Sequence, residues 1–483
     1  MRLFEILLIA STFLVVWLTA FPTVSNLVWK RVAVLVMVLA AGTQLIFEGS
    51  RWQLYPVYLL TCLLLANSIY QLPKLLVGVV GRLSIVVTTT LSVLLPVFRF
   101  DAPTGPYDIG TVTYHWVDAA RMEVFNADAK ARRELMVQIW YPAKHDAALQ
   151  QAVYMPEADA FAAAQGKMHH WPAFLLGHLK YVITYGQLAA KVSDDKPRFP
   201  VLIFLEGITG YRQMNNFQVQ ELVSRGYVVV AIDQPYVAAS VVFPDGRQIA
   251  GLSKDQMNSL LQQSITPTEK VPNLNGTEFK EGIIPYFVQD VVFTLNQLAT
   301  LNNASPNGIL SGRLDIDRVG IFGVSFGGIV AGEACRIDRR LRACLVMDAP
   351  MTARVVGDGL LQPAMWITRD ALTMKSEGWS QFDIEQHQTT MRAVFNKLNG
   401  DGYFVQVSGM FHVNLTDVPY FSPLLRWHGI FGPMVTGPID ATRAHDIINA
   451  YTVAFFDRYL AGPPSTILDS AGEHFTEVRL ERR

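Results

Sequence analysis

The first fifth of the chain is almost free of charged residues, and this limits what that part can fold into. Residues 1–98 hold eight charged side chains, out of 40 basic and 41 acidic residues in the 483-residue sequence. A helix needs about 20 apolar residues to cross the hydrocarbon layer of a membrane. Four apolar runs close to this length follow one another and leave no polar face, so residues 1–100 are predicted to form an all-α transmembrane region of about four helices. The runs are residues 3–20, 32–47, 54–70 and 75–98.

Two features of this region allow more than one interpretation. The first run has the position of a secretory signal peptide, although it is longer than the usual ~7–15 apolar residues and begins beside both Arg2 and Glu5. Arg82 interrupts the fourth run. The fourth span is therefore either residues 83–98 or a longer helix in which the Arg82 side chain reaches toward the interface.

The distribution of basic residues gives the expected orientation. The two sides of the four runs differ by at most one basic residue, and the positive-inside rule assigns the richer side to the cytoplasm. This predicts a multi-pass membrane protein with both termini, and the large C-terminal part, on the extracytoplasmic side. The richer side has Lys30, Arg31 and Lys74, with Arg82 as an optional fourth, and the other side has Arg2, Arg51 and Arg99.

The composition changes at residues 100–106, Phe-Asp-Ala-Pro-Thr-Gly-Pro, where turn-forming residues indicate a domain boundary. Beyond it, short β-type apolar runs alternate with helical patterns, which is typical of a mostly parallel sheet flanked by helices. We therefore expect an α/β domain over residues 101–483. The predicted strands are residues 135–140, 201–205, 227–232, 319–322, 343–347, 364–368 and 403–407, and the predicted helices are residues 213–224, 284–301, 328–336, 384–397 and 444–459.

The composition also excludes several classes of function. The formal net charge of −1 gives no electrostatic basis for nucleic-acid binding. Three cysteines, Cys62, Cys335 and Cys344, cannot form a disulfide framework, and no His/Cys pattern has zinc spacing. We expect no metal, no cofactor and no nucleic-acid partner.

A five-residue pattern in the second domain indicates nucleophilic catalysis. Gly323-Val-Ser325-Phe-Gly327 has the Gly-x-Ser-x-Gly form of a nucleophile elbow, preceded by a strand-like run and followed by a helix-competent one. The pattern alone is weak, but this setting strengthens it. A serine on such a turn projects its hydroxyl from the sheet, and a Cβ at either glycine would clash with the neighbouring strand and helix. Ser325 is thus the candidate nucleophile.

A serine nucleophile needs a base, and the base needs an acid to orient it. In this architecture the acid and then the histidine follow the serine along the chain. Asp348 and Asp370 each end a predicted strand, and spacing does not choose between them because active-site groups gather beyond the carboxyl ends of parallel strands. His412 follows a predicted strand and is the first candidate for the base, with His474 as the runner-up. Of the other downstream histidines, His387 and His445 fit surface or capping roles better, and the remaining one is His428.

The oxyanion hole requires two convergent backbone N–H groups, one of them from the residue after the nucleophile. Phe326 occupies that position. The second N–H is expected in the loop Phe204-Leu-Glu-Gly-Ile-Thr-Gly210, which follows an early strand and whose glycines let the backbone approach the substrate. An ordinary glycine-bearing turn is the alternative interpretation of this loop.

With these residues in place, the chain resembles the platelet-activating factor acetylhydrolase family of the plasma, calcium-independent type, over about residues 104–460. The resemblance implies an α/β-hydrolase fold with Ser325 as nucleophile, Asp348 rather than Asp370 as acid, and His412 as base. It also implies that the N–H groups of Ile208 and Phe326 form the oxyanion hole. The segments that carry it are Thr104-Gly-Pro-Tyr-Asp-Ile-Gly110, Gln138-Ile-Trp-Tyr-Pro142, Phe204-Leu-Glu-Gly-Ile208, residues 221–233, residues 317–328, Leu345-Val-Met-Asp-Ala349 and Gly409-Met-Phe-His-Val-Asn414.

Two residues depart from the family's pattern. The family usually has histidine before the glycine of the oxyanion loop and before the nucleophile, where this chain has Glu206 and Val324. A carboxylate that faces a developing oxyanion would raise the barrier, so we expect Glu206 to point away or to be paired. The four-span region lies outside what the plasma enzymes have.

Together these patterns predict a membrane-anchored serine hydrolase that cleaves lipid-like or short-acyl carboxylic esters. Insertions near residues 155–195 and 236–283 are expected to act as a cap, and the apolar, aromatic first one fits an acyl-binding or lipid-facing surface as well as plain packing. Two alternatives stay open, an acyltransferase with the same triad and a catalytically silent membrane scaffold or sensor. The expected partners are the ester substrate and membrane lipids, and no oligomeric state is indicated.

Overall fold

The computed structural model describes residues 1–20, 27–70, 72–128, 130–303, 308–426, 435–462, 465–469 and 474–483. Its first part is a bundle of four helices, α1 (Leu3–Ala20), α2 (Leu27–Phe47), α3 (Tyr55–Tyr70) and α4 (Lys74–Leu94). By length and composition all four can cross a membrane, the third together with the 3₁₀ turn Trp52–Leu54 before it. Arg82 lies inside α4, so the longer of the two versions of the fourth run is the one that is helical.

One end of the bundle is closed by a cluster of four charges, two of which, Glu5 and Arg51, are buried. Glu5 has no exposed surface and lies 2.8 Å from guanidinium nitrogens of both Arg2 and Arg51. Glu48 lies 3.8 Å from Arg2 and accepts the backbone N–H of Phe4 at 2.9 Å. Buried charges are costly unless they are paired. The cluster therefore ties the start of α1 to the connection between α2 and α3.

The rest of the chain is built around one large sheet. In the described residues, eleven strands form it in the order β15-β14-β13-β12-β11-β5-β6-β2-β1-β4-β3, and two small hairpins lie outside it. The run from β6 through β5 and β11 to β14 is parallel throughout, which confirms the predicted mostly parallel α/β fold. The strands are β1 (Asp108–Met122), β2 (Arg132–Ala143), β3 (Gln151–Val153), β4 (Ile183–Leu188), β5 (Phe199–Leu205), β6 (Val228–Asp233), β7 (Ser240–Val242), β8 (Gln248–Ala250), β9 (Asn273–Leu274), β10 (Thr277–Glu278), β11 (Leu314–Val324), β12 (Leu341–Met347), β13 (Ala364–Thr368), β14 (Gly402–Val407) and β15 (Val478–Arg482).

Helices cover both faces of this sheet. Successive strand residues point to opposite faces, so Ile203 of β5 belongs to one apolar cluster with helices α8 and α9, and Phe204 belongs to the other with α6 and α13. The central strands are buried on both sides, which explains their continuous apolar sequences. The helices after the bundle are α5 (Ala158–His169), α6 (Asn216–Ser224), α7 (Lys254–Ile265), α8 (Ile284–Asn303), α9 (Phe326–Ile337), α10 (Ala353–Asp358), α11 (Ala371–Ser376), α12 (Gln381–Lys397) and α13 (Ala441–Phe456).

The segment of residues 155–195 touches the charged end of the bundle. The Tyr181 hydroxyl donates to the carbonyl of Ser50 at 2.5 Å, and the Arg2 guanidinium lies 4.9 Å from the centre of the Tyr181 ring. Phe174 packs edge-on against Trp52, with ring centres 5.0 Å apart. The aromatic side chains of this segment thus meet the bundle.

The same segment also reaches the loop after β5. Gln165 of α5 donates its side-chain N–H to the carbonyl of Thr209 at 3.1 Å. Farther along, β4 pairs in parallel with β1, with Gly186 opposite Ile109, and so extends the sheet. Residues 155–195 therefore connect the bundle, the sheet edge and the loop in which the oxyanion hole is expected.

Candidate active site

Ser325 lies on a sharp turn between β11 and α9. Its backbone φ is +56°, a conformation that L-residues rarely adopt and that occurs where surrounding structure enforces it. Here the Ser325 N–H donates to the carbonyl of Met347 at 2.9 Å, which ties the turn to the end of the adjacent strand β12. The side chain is half-buried, so its hydroxyl stays accessible.

The two glycines of the motif are required by close backbone approach. A Cβ at Gly323 would lie 2.3 Å from the carbonyl oxygen of Gly327, and a Cβ at Gly327 would lie 2.2 Å from that of Leu205. Both distances are far inside van der Waals contact. The strained serine, the first turn of α9 and the end of β5 therefore pack together only because these positions lack side chains.

The structure brings Asp348 and His412 together and separates Asp370 from them. Asp348 directly follows β12, and its Oδ2 accepts the Nδ1–H of His412 at 2.6 Å. Asp370 instead caps α11, where its Oδ1 accepts the N–H of Thr373 at 2.8 Å. The strand-end pattern left the two acids equal, and in the structure Asp348 is the one that is hydrogen-bonded to His412.

His412 lies beyond β14, at the carboxyl ends of the parallel strands. Its side chain is 25% exposed, whereas Asp348 has no exposed side-chain surface, so a substrate can contact the imidazole but not the carboxylate. The hydrogen bonds of His412 among the described residues go to Asp348 and to the carboxylate of Glu377, which accepts the His412 backbone N–H at 3.2 Å. Within the described residues, Nε2 of His412 forms no hydrogen bond with Oγ of Ser325. The distance between a catalytic base and its nucleophile is commonly long before substrate binds.

The other downstream histidines have different surroundings. His387 and His445 are buried, so a surface role for either of them is wrong. His387 contacts the carbonyl of Asp383, and burial lowers its pKa to about 4, so it is neutral near pH 7. His445 contacts the carbonyl of Thr416. His474 is exposed, and His428 lies outside the described residues.

Sequence reasoning missed a buried cation behind the acid. Arg369, at the end of β13, has no exposed surface, and its Nη2 lies 2.8 Å from Oδ2 of Asp348. Its other terminal nitrogen is ion-paired with Glu377, and its guanidinium lies 4.6 Å from the ring centre of Trp379. The Thr368 hydroxyl donates to the other Asp348 oxygen at 2.8 Å. In the sequence, the only sign of a role for Thr368 and Arg369 was their position just before Asp370 at the end of a predicted strand.

These contacts fix the charge of the acid. Burial alone would raise the pKa of Asp348, but the Arg369 guanidinium and the His412 hydrogen bond together hold it well below its usual range. The Asp348 carboxyl group is therefore ionised at neutral pH. An ionised acid on Nδ1 fixes the tautomer in which the Nε2 of His412 accepts a proton.

The loop after β5 lies against the nucleophile. A Cβ at Gly207 would lie 3.2 Å from the Cβ of Ser325 and 3.7 Å from its Oγ. Among the described residues, the backbone N–H groups of Ile208 and Phe326 have no backbone acceptor, whereas that of Thr209 donates to Val237 at 2.7 Å. Two unused N–H groups thus flank Ser325, the chemical requirement of an oxyanion hole.

Glu206 is paired on one side and carries no exposed surface. Its Oε1 accepts the backbone N–H of Gln234, just beyond β6, at 2.8 Å, and its Oε2 has no hydrogen-bond partner among the described residues. Burial and the nearby charge of Asp233 raise its pKa well above the usual value. Asp233 itself is ion-paired with Arg212, and Glu206 forms no ion pair among the described residues. The raised pKa favours the neutral form of this side chain. Val324, the other departure, is buried in β11.

Within the described part of the chain, no three His, Cys, Asp or Glu side chains converge in a way that could hold a metal ion. The chemistry available at this site is that of a serine, a histidine, a buried carboxylate and backbone N–H groups.

Comparisons with known proteins agree on one family. The family described as platelet-activating factor acetylhydrolase, isoform II, matches residues 96–462. The platelet-activating factor acetylhydrolase of Cavia porcellus is 24% identical over 345 residues, which are 67% of this chain and 72% of that one. A probable 1-alkyl-2-acetylglycerophosphocholine esterase of Arthroderma benhamiae is 23% identical over 401 residues, 79% of this chain and 93% of that one.

A solved structure shares the architecture. A ferulic acid esterase from Streptomyces cinnamoneus superimposes with a TM-score of 0.61 and 26% identity, covering 80% of this chain and 99% of its own. Proteins similar to this chain in sequence and in structure are therefore named as esterases.

Proposed function

The chain belongs to the platelet-activating factor acetylhydrolase, isoform II, family of ester hydrolases, and from this premise we propose that it cleaves lipid-like carboxylic esters beside a membrane to which its bundle anchors it. The observation that carries the proposal is the 2.6 Å hydrogen bond between Asp348 and His412 at the carboxyl ends of the parallel strands, where the strained Ser325 also lies. The proposed catalytic residues are Ser325, His412 and Asp348, with the N–H groups of Ile208 and Phe326 as the oxyanion hole.

The reaction proceeds in two acyl-transfer steps. Ser325 Oγ attacks the ester carbonyl while His412 Nε2 takes its proton, and the carbonyl oxygen becomes an oxyanion held by the two N–H groups. His412 then gives the proton to the departing alcohol, which leaves an acyl group on Ser325. Water, deprotonated by the same histidine, releases the acid and restores the serine.

A lipid-like substrate is supported by the position of residues 155–195. This segment contacts the bundle through Phe174 and Tyr181 and contacts the oxyanion loop through Gln165. Trp171 is also exposed on it. Apolar and aromatic side chains gain by leaving water, so an ester carried by a membrane lipid can reach Ser325 without crossing bulk solvent.

The second insertion borders the other side of the site. Lys254, at the start of α7, lies 6.0 Å from the ring centre of Trp379, which in turn lies 5.7 Å from that of His412.

We therefore assign residues 1–100 to membrane anchoring and residues 101–483 to the hydrolase domain, with residues 155–195 and 236–283 flanking its entrance. The hydrolase domain lies on the extracytoplasmic side in this proposal.

The test is covalent labelling of the full-length protein in membranes. A fluorophosphonate probe should label wild-type protein, and Ser325→Ala should abolish both the labelling and the turnover of p-nitrophenyl acetate. Ser259→Ala, which changes an exposed serine within α7, is the matched control and should keep both. Unlabelled wild-type protein that is folded and membrane-bound would instead favour the silent scaffold.

A series of phospholipid and p-nitrophenyl esters with increasing acyl length then identifies the preferred substrate. Addition of competing alcohols separates hydrolysis from acyl transfer, since a transferase yields new esters in place of free acid. A clear preference for water-soluble aromatic esters over phospholipids would contradict the lipid assignment.

A further inference from the structure

Three cations converge on one cavity at the end of the bundle far from the hydrolase domain. Lys30 and Arg31 lie near the start of α2, Lys74 begins α4, and all three line a cavity of about 420 Å³. Residues 1–98 contain two acids, Glu5 and Glu48, and both form ion pairs with Arg2 at the opposite end of the bundle. Among the described residues these three cations form no ion pair, so three positive charges face one space without compensation.

The cavity is polar at its rim and apolar inside. Val15, Val34 and Leu64 contribute to its lining, and Val15 and Leu64 belong to the buried core of the bundle. The hydroxyl of Thr19, which also lines it, already donates to the carbonyl of Val15. The donors open to a ligand are the three cations and the side-chain N–H of Asn67, whose Oδ1 already accepts the N–H of Leu72, and they lie above a surface that suits hydrocarbon.

The size and chemistry select a class of ligand. Pockets of about 300–1,000 Å³ hold small ligands, so this one can take a head group with the first part of its chains. Three cations suit a phosphate better than a single carboxylate, because a phosphate offers several oxygens to an arginine fork and to lysine ammonium groups. At the edge of a bilayer, phosphates are the abundant anions, and basic pockets between membrane helices bind such head groups.

We propose that this cavity is a binding site for the phosphate of an anionic membrane lipid. The inference rests on the proposed insertion of the bundle in a membrane, and it is separate from ester cleavage at Ser325. A bound phosphate would join the start of α2 to the start of α4 by charge, as the Arg2 and Arg51 pairs with Glu5 join the helices at the other end.

The experiment measures lipid binding to the purified full-length protein in zwitterionic detergent. Native mass spectrometry or quenching of a labelled lipid gives the affinity for phosphatidylglycerol and for phosphatidylcholine. We expect phosphatidylglycerol to bind more tightly, Lys74→Gln to weaken it about fivefold, and Lys30→Gln/Arg31→Gln/Lys74→Gln to weaken it about 100-fold. The matched control is Arg82→Gln, which removes an exposed cation of α4 that lines a different recess, beside Trp17.

Each outcome has one meaning. An equal loss with Arg82→Gln would show diffuse attraction to charge and overturn the proposal, as would equal binding of the two lipids. Displacement of the lipid by equimolar inorganic phosphate would reassign the site to a free anion and overturn the lipid assignment. Fluorophosphonate labelling of Ser325 and recovery in the membrane fraction, measured on the same samples, report separately on the proposed function.

Discussion

The guanidinium of Arg369 and the imidazole of His412 meet at a single atom, the Oδ2 oxygen of Asp348, at 2.8 and 2.6 Å. The cation and the carboxylate are both fully buried. A buried carboxylate next to a cation stays ionised. Here the negatively charged Oδ2 of Asp348 interacts with both the Arg369 guanidinium and the His412 imidazole. In the proposed mechanism Arg369 is therefore a positioning residue that acts on the reaction through Asp348.

Replacement of Arg369 should shift the pH dependence of the reaction. In Arg369→Met the pKa of Asp348, now held well below its usual range, rises because the opposing charge is gone. The carboxylate then begins to protonate at a higher pH, so the loss of kcat/KM on the acid side should set in about one pH unit higher, while kcat/KM near pH 7 changes by only a few-fold. Steady-state kinetics from pH 4 to 9 measure this.

Two variants make that test specific. Arg369→Lys keeps the charge and should recover most of the acid limb. Arg392→Met removes an arginine that is paired with Glu481 at the far side of β14, and it should leave the profile unchanged. A uniform fall in activity with no change in pH profile would mean that Arg369 has a structural role alone.

Asp348 and Asp370 provide a matched pair of single-atom changes. Asp348→Asn should lower kcat by roughly 10³–10⁴-fold, because an amide no longer fixes the tautomer of His412. Asp370→Asn should leave kcat within twofold and stability unchanged, because asparagine caps a helix about as well as aspartate. Kinetics and thermal unfolding of both variants decide the matter, and a large kcat loss in Asp370→Asn would reverse the assignment of the acid.

Glu206→Gln should stabilise the protein at high pH. The raised pKa of Glu206 means that the folded state keeps the neutral acid, while the unfolded chain ionises near pH 4.3. Its contribution to stability is therefore complete below about pH 4.3 and falls as pH rises. Because glutamine does not titrate, the variant should unfold about 3 °C higher than wild type at pH 8 and at nearly the same temperature at pH 4.5.

Glu221→Gln is the control of opposite sign. Burial would raise the pKa of Glu221, but its hydrogen bonds from Thr104 and Arg225 lower it instead. Its stabilisation is present above about pH 4.3 and is lost as pH falls. Glu221→Gln should thus be less stable than wild type at pH 8. Destabilisation of Glu206→Gln at pH 8 would indicate that Glu206 is ionised in the folded protein.

Gly327→Ala should prevent the elbow from forming. Its Cβ would lie 2.2 Å from the carbonyl oxygen of Leu205, and the three nearest atoms are all backbone atoms of Leu205 and Glu206, which cannot rotate away. Overpacking of this kind costs about 1–3 kcal/mol or more, and here it also displaces Ser325. We expect loss of labelling and a lower yield of folded protein. Gly357→Ala, at a helical glycine with no atom within 4 Å of the added Cβ, should be neutral or slightly stabilising.

Reporter fusions test the proposed orientation. Alkaline phosphatase, which needs an oxidising compartment, should be active when fused after Arg483 and inactive when fused after Pro73. A green fluorescent protein fused at the same two points should give the opposite pattern. The reverse result would place the hydrolase domain in the cytoplasm.

The central fold was predictable because its strands are buried on both faces. Such strands read as continuous apolar runs, so β5, β6 and β12 to β14 were each located to within two residues, and β11 was located although it begins five residues before the predicted start. β1 and β15 were missed because they alternate or carry charge, as in Val-Arg-Leu-Glu-Arg of β15, and resemble loop sequence. β4 was missed because the aromatic residues around it suggested a cap.

The candidate site was predictable as far as chain order could reveal it. The motif, the strand ends and the order of serine, acid and histidine gave Ser325, His412 and two acids. The choice between Asp348 and Asp370 came from family resemblance, because sequence spacing carries no information about which neighbour an acid contacts. Arg369 was missed for a related reason, since a buried arginine and an exposed one look the same in a sequence.

The contacts of Tyr181 with Ser50 and of Phe174 with Trp52 fix how far Ser325 stands from the end of the bundle. If the bundle is immersed in a bilayer, that distance becomes a height above the bilayer plane. An ester is then cleaved according to how far its carbonyl rises along the membrane normal.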